Sequence, residues 1–103
     1  MNAYRLSPAA QTDLIKIRDY YLAEAGYKIA RQMLVEFTEA FRFLAHNPGA
    51  GHKREDLAEA RPVLFWVVRD YYVIYKIPSE PLLIIMIIRA SRDLPTIFVR
   101  REL

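Results

Sequence analysis

The sequence has no cysteine. That excludes a disulfide scaffold and thiol catalysis, and it fits a reducing compartment. Long apolar runs are missing too. The longest, Leu82 to Ile88, falls far short of the ~20 residues a bilayer-spanning helix needs. The opening Met1-Asn2-Ala3-Tyr4-Arg5 lacks the apolar centre of a secretory signal. Together these absences predict a soluble, cytoplasmic chain without a membrane partner. Charge of one sign is also scarce: 15 Lys and Arg stand against 12 Asp and Glu, a net charge of +3. So mild an excess permits contact with nucleic acid or an acidic protein and demands neither. No internal repeat or low-complexity tract is visible.

What is present suits one domain over residues 1–103. Hydrophobic residues make up 53% of the chain. A domain this small buries only about two-thirds of its unfolded surface. Apolar side chains in that number either fill the core or leave surface for a partner.

Residues 3–6 suit a short strand. Ser7 then offers a side-chain cap to a helix, and Pro8 fits the first helical position, where a missing N–H costs nothing. Ala10, Leu14, Ile17 and Tyr21 recur at helical spacing, with Asp13, Lys16 and Asp19 assigned to other faces. Gly26 ends this helix. A second runs from about Tyr27 to Ala45, with an apolar stripe of Ala30, Met33, Leu34, Phe37, Phe41 and Leu44. Asn47-Pro48-Gly49 stops it. A link at one glycine makes the two helices a hairpin, and Tyr20 and Tyr21 are expected at its seam. Residues 50–61 read as a charged loop, with one helical turn near Asp56 to Ala60.

Val63 to Val68, Tyr71 to Ile77 and Leu82 to Ile88 are rich in β-branched and aromatic residues. The short turns Arg69-Asp70 and Pro78-Ser79-Glu80-Pro81 join them as an antiparallel meander. The predicted fold is α+β: an N-terminal helical hairpin packed on a small antiparallel β-sheet, with the N-terminal strand joining it. These strands are apolar on both faces, and two helices cover only one. The other face needs a cover: the tail (Leu94, Ile97, Phe98, Val99), a dimer mate, or a separate protein. A separate protein is favoured for part of it, because large bare apolar patches mark interfaces.

Several segments carry a resemblance. They are Leu6-Ser7-Pro8-Ala9-Ala10 with Asp13-Leu14, Ile17 and Tyr20-Tyr21, then Ala30-Arg31 through Phe43-Leu44 to Asn47-Pro48 and Gly51. Arg69-Asp70-Tyr71-Tyr72-Val73-Ile74-Tyr75 and Ile88 to Pro95 follow. In order and spacing these resemble the ParE/RelE toxin superfamily across nearly the whole chain. The resemblance implies the toxin of a type II toxin–antitoxin system, on a RelE/ParE-like fold, neutralised by a cognate antitoxin with which it forms a hetero-oligomer. Joined to the apolar second face of the strands, it points to Val63, Phe65, Val67, Leu83 and Ile85 as the surface over which the antitoxin lays an amphipathic helix or extended segment.

The branch decides the mechanism. RelE-like members are ribosome-dependent mRNA nucleases, which need an acid, a base and cations around the phosphate. Here no Tyr follows Tyr75, and no His follows His52. Where ParE-like toxins often carry His or Gly just before the Arg-Asp pair, Arg89-Ala90-Ser91 stand here, a departure that argues against any mechanism needing a histidine at that place. This favours the ParE branch, implying a chain that binds DNA gyrase and blocks its cycle without catalysis or cofactor. The mRNA nuclease and a non-toxic interaction module on the same fold are the alternatives.

Arg89 and Arg92 are the first candidates to grip the target, through the planar guanidinium fork. The plainer alternative is that Arg92 pairs with Asp93 or Asp70 and merely pins the strand end. Lys53, Arg54 and Arg61 are secondary target contacts, although Glu55, Asp56 and Glu59 among them also fit a solvated loop. His46 and His52 lack a metal-ligand spacing with other donors. His46 suits a helix C-terminus. Trp66, Tyr71, Tyr72 and Tyr75 are expected to pack in the sheet.

Overall fold

The computed structural model describes residues 3–54 and 61–90. The helical turn expected near Asp56, the apolar tail from Leu94 to Val99, and Arg92 lie outside the described residues. The elements are β1 (Tyr4–Leu6), α1 (Pro8–Ala25), α2 (Tyr27–His46), a 3-10 turn (Pro48–Ala50), β2 (Val63–Val68), β3 (Tyr71–Lys76) and β4 (Leu82–Arg89). The order of these elements, and the α+β class, are as the sequence predicts.

The helix ends follow local chemistry. The Ser7 hydroxyl accepts from the Ala10 amide at 3.1 Å, with Pro8 in the first turn. Gly26 sits at φ +89°, where a side chain would be strained, and its amide donates to the Tyr21 carbonyl at 2.9 Å. That single residue ends α1 and starts α2. Beyond α2, the Tyr75 hydroxyl donates to the Pro48 carbonyl at 2.6 Å and accepts from the Gly51 amide at 2.9 Å. A Cβ on Gly51 would lie 2.5 Å from that hydroxyl, so only glycine fits there without displacement.

The sheet order is β1-β4-β3-β2. The meander β2-β3-β4 is antiparallel, whereas β1 adds in parallel to β4, with Tyr4 opposite Leu82. The sheet is therefore mixed. A parallel neighbour requires a crossover, and the helical hairpin supplies it. The register jumps from Ile74 opposite Met86 to Tyr75 opposite Ile84, leaving Ile85 as a bulge. Ser7 donates its hydroxyl to the Ile85 carbonyl at 3.1 Å.

Asp13 differs from expectation. It is buried and accepts from the Ile87 amide at 3.0 Å. Three-residue β1 pairs only as far as Ile84, so the edge of β4 beyond it needs other partners. Buried amides are almost always satisfied; α1 meets this one with a carboxylate.

Both helices pack on one face of the sheet. Met33, Phe37, Phe41 and Leu44 of α2 meet Tyr71, Val73, Tyr75 and Ile84 in the larger core. Val63, Phe65, Ile74, Met86 and Ile88 form a second cluster on the other face, with Tyr72 and Ile85 packed against it. These five are buried in the chain itself, Phe65 to 2% exposure. The expectation that this face stands bare for a separate protein is thus corrected at Val63 and Phe65. Val67 is 57% exposed, and Leu83 and Ile85 are half-buried.

Candidate target-contact site

Arg89 closes β4 opposite Tyr71 of β3. The strand ends are tied there by the Ala90 amide, which donates to the Asp70 carbonyl at 2.8 Å. The Arg89 guanidinium donates to the Tyr71 hydroxyl at 3.3 Å and lies 3.8 Å from the Asp70 carboxylate. Its central carbon is 5.5 Å from the Tyr71 ring and 5.7 Å from the Tyr20 ring, both within cation–π reach. Tyr20 in turn meets Tyr21 edge-on at 5.0 Å. The Tyr71 hydroxyl stands 3.5 Å from that of Tyr21.

Tyr20 and Tyr21 therefore bear on Arg89 and Tyr71 at the ends of β3 and β4, and Tyr21 also packs against the larger core that α2 shares. Their position on α1 points them the same way as Asp13 and Ile17, toward the sheet.

The electrostatics favour holding charge over moving protons. Tyr21 is pushed up to about 12, first by its hydrogen bond with Tyr71 and then by burial, with Arg89 opposing. The contact with Tyr71 raises Arg89 further above its usual value. At neutral pH Arg89 is a fixed cation and Tyr21 keeps its proton.

The other predicted cations are not gathered here. Arg54 donates to the Tyr72 hydroxyl at 2.5 Å and lies over its ring at 5.6 Å. Tyr72 belongs to the helix-free face and Tyr71 to the helix face, so Arg54 and Arg89 serve opposite sides of the sheet. Lys53 is exposed, beside His52, whose backbone pairs with Phe65 on the outer edge of β2. Arg61 is half-buried, and its carbonyl accepts from the Val63 amide at 2.8 Å. Asp70 finds Arg89 as its ion-pair partner. His46 contacts the Arg42 carbonyl at 2.9 Å in the last turn of α2, as its helix-end position suggested.

Two features escaped the sequence. One is the bidentate pair of Arg69 and Glu36, which no local spacing announces. The other is Asp13, whose signal was present: it stands three residues after Ala10 and four before Ile17, on the same helical comb. Among the described residues, no group of three or more His, Cys, Asp or Glu converges as a metal site. No described helix is long and apolar enough to cross a membrane.

Comparison with known proteins gives the lineage. A search among curated proteins returns no match. By fold, the chain is similar to one in a solved structure described as the chromosomal ParDE TA system from P. aeruginosa. The two share 21% identity at a TM-score of 0.73, over 88% of this chain and 98% of that one. Residues 4–94 match the family described as the ParE toxin of type II toxin-antitoxin system, parDE. That match spans most of the length over which the strand, the hairpin and the meander were read, and the chain belongs to the ParE toxin family.

Proposed function

We propose that this protein is a toxin that binds DNA gyrase and arrests its cycle, and that a cognate antitoxin neutralises it in the cytoplasm as a hetero-oligomer. The observation that carries the target-binding part is Arg89. It is a permanent cation, held by two tyrosine rings at the end of the sheet and 38% exposed at its side chain. Such a group binds; it does not exchange protons. Lys53, Arg54, Arg61 and Arg92 are assigned as further target contacts. Antitoxin contact is assigned to Val67, Leu83 and Ile85, which keep exposure on strands β2 and β4.

A gyrase assay with purified protein, plasmid and ATP tests the reading. Lost supercoiling or trapped linear DNA is the expected result. Unaffected gyrase would refute it.

One observation favours a second reading, ribosome-dependent mRNA cleavage. Arg89 and the hydroxyls of Tyr71 and Tyr21 gather a cation and proton donors around one point, as a leaving oxygen requires. Against it, a tyrosine pushed up to about 12 is a poor base at neutral pH. Cleavage of ribosome-bound mRNA, lost on Arg89→Ala, would establish this alternative.

A further inference from the structure

Two described arginines at this end of the sheet, Arg69 and Arg89, are satisfied very differently. Arg69 spends two donors on Glu36, each at 2.7 Å. Arg89 carries the same five N–H donors. Among the described residues, its polar partners are one hydroxyl at 3.3 Å and one carboxylate at 3.8 Å, the latter beyond hydrogen-bond reach. Meanwhile the Tyr20 and Tyr71 rings fix where the guanidinium lies. A pre-placed fork loses little freedom when it binds.

We propose that Arg89, positioned by Tyr20 and Tyr71, is a receptor for a single carboxylate of the protein target, with Asp70 as its built-in competitor. This rests on the target-contact reading above and adds the chemistry of the ligand. The planar fork matches a carboxylate through two parallel hydrogen bonds. Asp70 stands in the β2–β3 turn with its side chain 60% exposed, near enough to attract the guanidinium and too far to bond it. An incoming carboxylate replaces one negative charge with another. A phosphate carries more charge into a site already facing Asp70, and like charges repel.

The test reads the Nε–H signal of Arg89 by NMR during titration with sodium acetate, at constant pH and ionic strength. Loss of the signal in Arg89→Gln assigns it. A saturable shift is expected, several-fold tighter in Asp70→Asn and Asp70→Ser than in the unaltered protein. Tyr20→Phe should retain the response and Tyr20→Ala should weaken it. A missing shift in both Asp70 variants, or equal affinity with and without Asp70, would overturn the proposal. Tighter binding of inorganic phosphate than of acetate would overturn the carboxylate assignment.

Acetate binding needs no gyrase, so failure of the gyrase reading leaves this measurement intact. In the gyrase assay itself, Asp70→Asn should inhibit at several-fold lower concentration. Unchanged potency beside tighter acetate binding would remove the target as the source of the carboxylate.

Discussion

Glu36 of α2 holds Arg69 of the β2–β3 turn through two hydrogen bonds of 2.7 Å. Arg69 sits at φ +54°, a region a side chain rarely adopts without support. The pair fastens the turn to the helix layer, and so fixes the neighbouring Asp70 beside Arg89.

Acid should loosen this fastening first. The bonds from Arg69, then that from Gln32, hold the Glu36 carboxyl down at about 2 from an ordinary 4.5. A carboxylate depressed on folding stabilises above its unfolded value and loses that contribution as pH falls through the folded one. The window is therefore pH 4.5 down to 2. Solvent screens the pair, so its contribution to stability is small. Urea unfolding of Glu36→Gln should show that small deficit at pH 7 and converge with the unaltered protein toward pH 2. Parallel curves at all pH values would exclude the linkage.

Gly51 and Tyr75 should behave as one unit. Gly51→Ala pushes a methyl into the Tyr75 hydroxyl and should cost about 1–3 kcal/mol by overpacking. Tyr75→Phe leaves the Gly51 amide and Pro48 carbonyl without their partner, again about 1–3 kcal/mol. Removing the hydroxyl relieves the shortest of the methyl's contacts and leaves those with the ring at 2.9 Å and Leu64 at 3.0 Å, so the double variant should cost somewhat less than the sum. Denaturant midpoints of the three variants measure the coupling; strict additivity would contradict it.

Asp13 should be read at one amide. Asp13→Ala removes the acceptor of the buried Ile87 N–H, at about 1–3 kcal/mol. Hydrogen exchange at Ile87 should accelerate more than at Val73, which lies in the sheet interior. Asp13→Asn keeps an acceptor oxygen and should lose less. Equal acceleration at both amides would point to global destabilisation.

On function, Arg89→Ala should weaken gyrase inhibition by about tenfold or more, as loss of a charge-assisted contact does. Lys53→Ala should act less, because its side chain is exposed and unfixed by any described contact. Dose–response curves for both decide it, and an unaltered Arg89→Ala curve would remove Arg89 from the contact.

Much of the fold was legible because its signals are local. Ser7-Pro8, Gly26 and Asn47-Pro48 mark helix ends within a few residues of themselves, and β-branched runs mark the strands. What escaped depends on contacts distant in sequence. Nothing in Tyr4-Arg5-Leu6 says that it joins β4 in parallel. The bulge at Ile85 arises only when Ser7 reaches its carbonyl. Arg89 was legible as a candidate, but its surroundings were not: Tyr20 lies 69 positions earlier and meets it only through the packing of α1 on β4. Val63 and Phe65 looked available because periodicity reports which face a side chain takes, and not what covers it.

The placement of β4 bears on how the protein is made. β1 pairs with it across more than seventy residues, α1 anchors to it through Ser7 and Asp13, and β3 pairs with its other side. Such long-range pairing is slow, since loops must close before contacts reward them. A nascent chain still short of Leu82 can fold its helical hairpin from local contacts, but the sheet has no centre and Arg89 has not been synthesised. Under the proposed function, the target contact thus emerges from the ribosome after the helical hairpin, giving a cognate antitoxin an interval in which to meet the chain before it can bind that target.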